Sequence, residues 1–142
     1  MRRHGFTLIE IMLVIIIIGV LVAMVVPSIS GRSNQARKAA AVTDIESNLD
    51  NALDLYQLDN GHYPTTEQGL MALIEKPTAD PVPAKWSGPY LKKKRLPKDP
   101  WGHEYVYAFP GEHNKEGYDL SSLGPDGIAG KDDITNWEKD DK

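Results

Sequence analysis

Gly5-Phe6-Thr7-Leu8-Ile9-Glu10 leads directly into Ile11-Met12-Leu13-Val14-Ile15-Ile16-Ile17-Ile18-Gly19-Val20-Leu21-Val22-Ala23-Met24-Val25-Val26, an apolar run interrupted only by Gly19. Residues 6–26 number 21. A helix of that length spans roughly 30 Å, the thickness of a bilayer's hydrocarbon core. Arg2, Arg3 and His4 precede the run, so the positive-inside rule keeps Met1 in the cytoplasm and sends the polar remainder across. A secretory signal peptide is built differently, with an apolar region of about 7 to 15 residues and a small-x-small cleavage site. This run is longer and ends in Met24-Val25-Val26-Pro27-Ser28 without such a site. A plain membrane anchor accounts for length and orientation but leaves Glu10 unexplained. An unpaired carboxylate inside an apolar span is expensive and marks function, and no Lys or Arg lies between Phe6 and Ile29. Its positive partner must come from another chain or from a backbone amine. A cut between Gly5 and Phe6 would create that amine one helical turn from Glu10.

These residues resemble the class III signal of type IV pilins and pseudopilins. The resemblance implies that a membrane-embedded prepilin peptidase cuts after Gly5 and N-methylates Phe6. The apolar helix then stays on the mature protein, and Glu10 serves as the acidic residue required for assembly.

The rest of the chain bounds what else is possible. Of 142 residues, 41% are hydrophobic and 25% charged, with no cysteine and a net charge of −4, which fits one small domain at most. Zero cysteine excludes a disulfide scaffold, a thiol nucleophile and every cysteine-based metal site. The acidic balance makes a poor nonspecific nucleic-acid binder. Charge is also uneven along the chain. Residues 85–98 hold six bases and no acid, and residues 112–142 hold nine acids and four bases. That asymmetry suits head-to-tail contacts between copies and equally suits two solvated faces.

Beyond the apolar run, residues 33–58 contain neither Gly nor Pro, and Ile45, Leu49, Ala52, Leu53 and Tyr56 fall on one helical face. Asp44, Asn48, Asn51, Asp54 and Asp59 occupy the remaining circumference and are read as solvated. Pro27 is expected to kink or melt the helix locally, and Asn60-Gly61 to stop it. Thr65 and Gln68 have the spacing of a capping box opening a second, short helix through Leu70, Leu73 and Ile74, which Pro77 ends. Residues 78–89 carry prolines 81, 83 and 89 and read as a loop pinned by Trp86. Residues 104–109 alternate as a strand whose antiparallel partner is 118–121. Trp101, in the turn Pro97-Lys98-Asp99-Pro100-Trp101-Gly102, is expected to plug the seam between sheet and helix. The tail 138–142 is expected to fray.

No catalytic constellation is visible. His4, His62, His103 and His113 lack metal-ligand spacing and read as lone surface histidines, no serine sits in a Gly-x-Ser-x-Gly elbow, and no glycine-rich phosphate loop follows a strand. One stretch stands apart: Leu123-Gly124-Pro125-Asp126-Gly127-Ile128-Ala129-Gly130-Lys131-Asp132-Asp133-Ile134. It places three carboxylates within eight residues on a sharply bent loop. Calcium takes such mixtures of carboxylates and carbonyls. The spacing is not that of an EF-hand, and a solvated acidic turn satisfies the same residues.

The mature chain also resembles the major pseudopilins, or G-type subunits, of bacterial type II secretion systems. The resemblance rests on Tyr56-x-x-Asp59-Asn60, Tyr63-Pro64-Thr65-Thr66-Glu67-Gln68-Gly69-Leu70, Leu96-Pro97-x-Asp99-Pro100-Trp101-Gly102, Ser122-Leu123-Gly124-Pro125-Asp126-Gly127 and Asp132-Asp133-Ile134-x-Asn136-Trp137. It implies an α+β, type IV pilin-like fold: a long N-terminal helix packed on a short helix and a small antiparallel sheet, with a C-terminal calcium loop. Leader 1–5, membrane and fibre-core helix 6–27 and periplasmic domain 28–142 follow. It further implies one Ca2+ per subunit, held by Asp126, Asp132, Asp133 and the carbonyls of Leu123 and Ile128. The implied function is structural rather than enzymatic: inner-membrane insertion, then polymerisation into a periplasmic fibre that drives folded proteins through the outer membrane. Implied partners are other copies, minor pseudopilins, the inner-membrane assembly platform and prepilin peptidase. A type IV pilus or DNA-uptake pilin subunit is the nearest alternative, and a membrane-tethered calcium module or exported enzyme a more distant one.

Overall fold

The computed structural model describes residues 6–138, and of residues 25–30 the backbone alone. The chain divides into two compact units, Met1–Ala36 and Arg37–Lys142. Helix α1 (Leu8–Thr43) starts in the first unit, directly after Thr7, and its residues from Arg37 on belong to the second. The Glu10 N–H donates to Thr7 Oγ1 at 3.3 Å, and the Thr7 N–H reaches back to Glu10 Oε2 at 3.5 Å. This reciprocal pair is a capping box that satisfies two of the helix's unpartnered N-terminal donors. The apolar side chains that follow are exposed from Leu8 to Met24. Among the described residues no helix is long and apolar enough to cross a membrane. The side chains described within the apolar run stop at Met24, whereas the run itself goes on to Val26. Backbone through residues 25–30 is helical, so α1 runs on through Pro27 and the expected local melting does not occur. The leader 1–5 and the tail 139–142 lie outside the described residues.

In the second unit a π-helical stretch, Asp44–Leu49, passes into α2 (Asp50–Asn60). The π turn has a packing reason. Ala41, Ile45 and Leu49 are all essentially fully buried, yet steps of four residues drift by about 40° each on a regular helix. The wider turn returns them to one line. Ala52, Leu53 and Tyr56 extend that buried stripe as the sequence predicts, and Leu70, Leu73, Tyr105, Tyr118 and Leu120 close over it. Gly61, in the left-handed conformation at φ 82°, ends α2 by donating to the Gln57 carbonyl.

Four acids of this helical segment each accept a tyrosine hydroxyl. Tyr105 donates to Asp44 at 3.0 Å, Tyr118 to Asp50, Tyr63 to Asp54 at 3.0 Å and Tyr90 to Asp59 at 2.9 Å. Burial first, and then these carboxylates, push the Tyr63 hydroxyl up to about 12 and raise those of Tyr105 and Tyr118. The two hydroxyls of Ser87 and Tyr90 hold Asp59 below the usual carboxylate range.

The capping box at Thr65 forms as expected: Thr65 N–H to Gln68 Oε1 at 3.1 Å, and Gln68 N–H to Thr65 Oγ1 at 3.2 Å. The expected α-helix does not follow it. Gly69 turns to φ 59°, ψ −169°, and only a 3₁₀ turn, Leu70–Leu73, results. The loop beyond is tied back by Gln68 Nε2 to the Ala79 and Pro81 carbonyls and by Trp86 Nε1 to the Ala72 carbonyl. Strand β1 (Val106–Ala108) pairs antiparallel with β2 (Asp119–Ser122) in the register Val106 opposite Ser121. A third strand the sequence did not announce, β3 (Ile134–Thr135), pairs with the other edge of β2. The fold class is therefore α+β. Trp101 departs from expectation: it is half-buried and absent from the side chains packed on the core.

Candidate functional site

Two places carry the residues singled out by sequence, and they are described separately. At the amino end, Gly5 lies outside the described residues. Phe6 is 78% exposed ahead of α1, and Glu10 stands in the first helical turn, its carboxylate directed back to the Thr7 N–H. Thr7 is the residue the sequence reading missed here, although Thr7-x-x-Glu10 before an apolar run is the signature of a capping box.

At the other end, the segment from Leu123 to Asp133 folds as consecutive turns and bends between β2 and β3, whose first residue is Ile134. Gly124 and Gly127 adopt φ values of 67° and 69°, conformations that favour glycine. The Asp126 carboxylate accepts the Ile128 N–H at 3.0 Å, and Asp133 accepts the Gly130 N–H at 3.1 Å. Asp132 folds over Gly124 so closely that a Cβ there would lie 3.0 Å from the Asp132 carbonyl oxygen and 3.2 Å from its carboxylate. Ile128 is 68% exposed. As a donor set these are hard oxygens of the kind calcium selects. The loop brings Asp126, Asp132 and Asp133 into one stretch of turns. Among the described residues, however, no group of three or more such side chains is spaced to hold a metal ion.

The histidines correct the sequence reading. His103 is half-buried and His113 stays on the surface, but neither stands alone. His103 Nδ1 meets the Gly124 carbonyl at 3.1 Å. His113 Nδ1 lies 3.0 Å from Asp119 Oδ2, and its ring stacks on Trp137 at 4.2 Å with an 8° tilt. His62 contacts the Tyr63 carbonyl through Nδ1, edge-on to Tyr56.

Asp119 organises the turn between β1 and β2. Its buried carboxylate accepts the N–H groups of Glu112, His113 and Asn114 at 2.8 to 2.9 Å, and a Cβ at Gly111 would run into it. Burial pushes the Asp119 carboxyl up, but those N–H donors and the His113 ring outweigh it and hold the group below the usual range. A depressed folded-state value stabilises the native state above the unfolded-state value and loses that contribution as pH falls through the folded one. Asp119→Asn should therefore cost about 1 to 3 kcal/mol at pH 7. It should cost progressively less in acid, as thermal melts of both proteins from pH 7 to pH 2 would register. Equal losses at both extremes would contradict this account.

Comparison with known proteins adds to this geometry. Residues 28–137 match the family model described as type II secretion system (T2SS), protein G, and residues 1–26 match the prokaryotic N-terminal methylation motif. The chain is 56% identical over 138 residues to the type II secretion system core protein G of Escherichia coli strain K12, covering 96% of this chain and 92% of that one. It is 52% identical over 143 residues to that of Pectobacterium carotovorum, covering 99% and 88%. The crystal structure of the major pseudopilin from the type 2 secretion system of enterohaemorrhagic E. coli matches with a TM-score of 0.67 at 43% identity, covering 80% of this chain and 96% of that one. A fold with an acid-bearing apolar helix and a small sheet thus meets two adjoining motif matches that run nearly end to end, and the chain belongs to the type II secretion system protein G family.

Proposed function

We propose that this chain is the major structural subunit of a type II secretion pseudopilus. The observation that carries the reading is the adjoining pair of matches, the methylation motif over 1–26 and protein G over 28–137. The second of these favours the secretion subunit over a pilus or DNA-uptake subunit. The chain inserts in the inner membrane through residues 6–26, with the domain in the periplasm. Prepilin peptidase cuts between Gly5 and Phe6 and methylates the new amine. Subunits leave the bilayer by packing their apolar helices together, because the exposed apolar run has no other way to escape water in a periplasmic fibre. Glu10 neutralises the amine of a neighbour's Phe6 as they pack. Minor pseudopilins and an inner-membrane platform complete the assembly, and the growing fibre moves folded proteins outward. The role is mechanical, with no substrate turned over.

Calcium belongs to the same proposal. Asp126, Asp132 and Asp133, with the carbonyls of Leu123 and Ile128, would hold one ion, which supplies the positive charge that lets three carboxylates share a loop. What supports this is the donor chemistry and the glycine-permitted turns at 124 and 127.

Negative-stain microscopy of cells overproducing the chain with a secretion apparatus tests the function. Fibres that bind antibody to this chain are expected, built from subunits whose intact mass begins at N-methylated Phe6. Absence of labelled fibres, or a mature mass starting at Met1, would overturn it.

A further inference from the structure

We infer that His103 is a positioning residue for the loop from Leu123 to Ile134, holding its first turn in the shape from which calcium is taken; the inference rests on the calcium reading above. The argument starts at Asp99, whose side chain is wholly buried. Its carboxylate accepts the N–H groups of Trp101 and His103 at 3.0 and 2.8 Å and the Ser122 hydroxyl at 2.7 Å. A buried carboxylate satisfied by three donors is a rigid fixture. It therefore fixes both the backbone of His103 and the end of β2. From there two arms reach Gly124. The Ser122 hydroxyl oxygen accepts the Gly124 N–H at 3.2 Å. His103 Nδ1 lies 3.1 Å from the Gly124 carbonyl, which can only accept, so Nδ1 carries the proton and donates.

Gly124 is thus gripped at both of its peptide groups, and it is the residue against which Asp132 folds. The far side of the same ring closes the turn. A Cβ at Gly127 would lie 2.9 Å from His103 Nε2, so the imidazole fills the hollow of the turn that carries Leu123, Asp126 and Ile128. No calcium oxygen need touch His103 for its loss to matter. Groups that orient ligands without binding the metal set affinity through the shape they impose.

The test uses the full chain in detergent, freed of metal, with calcium affinity measured by isothermal titration. His103→Ala should weaken calcium binding about tenfold while leaving the melting temperature in chelator at the parent value. His103→Asn should restore affinity, because its amide N–H sits where Nδ1–H does, and His103→Gln should not. Parent-like binding by the Ala variant, or equal weakening by Ala and Asn, would overturn the inference. If the parent itself takes up no calcium, the calcium reading fails on its own. Amide exchange of residues 123–128 in chelator then decides the positioning role: faster exchange in the Ala variant but not in the Asn variant sustains it, and unchanged exchange in the Ala variant refutes it.

Discussion

Glu10→Leu should leave the chain in the membrane and abolish labelled fibres. Insertion is favoured by the change, since a carboxylate in an apolar span is replaced by one of the most apolar side chains available. Assembly should suffer because, in the proposed fibre, each subunit brings an amine at Phe6 into a low-dielectric helical core. There an unpaired charge is far more costly than in water. Glu10 also has a second task in the single chain, accepting the Thr7 N–H in the capping box, and loss of that cap alone costs about 0.5 to 2 kcal/mol. Glu10→Gln separates the two tasks. Glutamine retains an acceptor for Thr7 but carries no charge, so it should start the helix normally and still fail to polymerise. Membrane fractionation measures the first outcome and immunolabelled microscopy the second. Wild-type fibre numbers in the Gln variant would remove the charge pair from the account and leave Glu10 as a cap.

The N-terminal half of this molecule was legible because its information is local. The stripe Ile45, Leu49, Ala52, Leu53 and Tyr56 is a matter of period, and all five side chains are buried. The Thr65 and Gln68 capping box is a matter of spacing, and both of its bonds form. What followed Gln68 was less readable, because Gly69 adopts a backbone conformation that a residue count cannot reveal and converts a helix into one 3₁₀ turn. The π stretch was hidden for a related reason: only the burial of Ala41 together with Ile45 and Leu49 requires the wider turn.

Beyond the β1–β2 pairing and the loop pinned by Trp86, which the sequence anticipates, features that depend on long-range pairing were not legible. Asp44 reads as solvated, yet its partner Tyr105 stands 61 residues away, and Asp50, which the helical pattern does not single out, is met by Tyr118 from 68 residues away. Strand β3 has two residues, too few for any alternation, and exists because β2 offers a free edge to Ile134 and Thr135. The same holds at the loop proposed to take calcium. Its acids were visible in sequence, whereas its supports, Asp99, Ser122 and His103, become visible only when the turn at 97–102 packs beside the end of β2.

Calcium should raise the melting temperature of the chain, and a chelator should lower it. Asp126, Asp132 and Asp133 gain nothing from proximity on their own, since like charges brought together without a cation destabilise the compact state. In the described geometry two of the three accept backbone donors, Asp126 the Ile128 N–H and Asp133 the Gly130 N–H. A cation that binds only the native loop stabilises it by mass action, by about 2.7 kcal/mol at a free concentration one hundred times the dissociation constant. For a domain of roughly this size each kcal/mol moves the midpoint by about 4 to 8 °C. Asp126→Ala and Asp132→Ala should each remove most of that response. Each should lower the melting temperature in chelator only slightly, because Asp126 gives up one exposed hydrogen bond and neither removes buried apolar contact.

The response should also be local. The turns from 123 to 134 join β2 to β3, and Asn136 then returns to β2 by accepting the Leu120 N–H at 2.9 Å, so withdrawing the ion frees the C-terminal segment before the helical core, which is held by Leu53, Tyr56 and Leu73. Limited proteolysis in chelator should cut first after Lys131, with residues 37–60 still protected. A metal-free chain whose melting temperature ignores both calcium and chelator would show instead that the three aspartates form a solvated acidic turn.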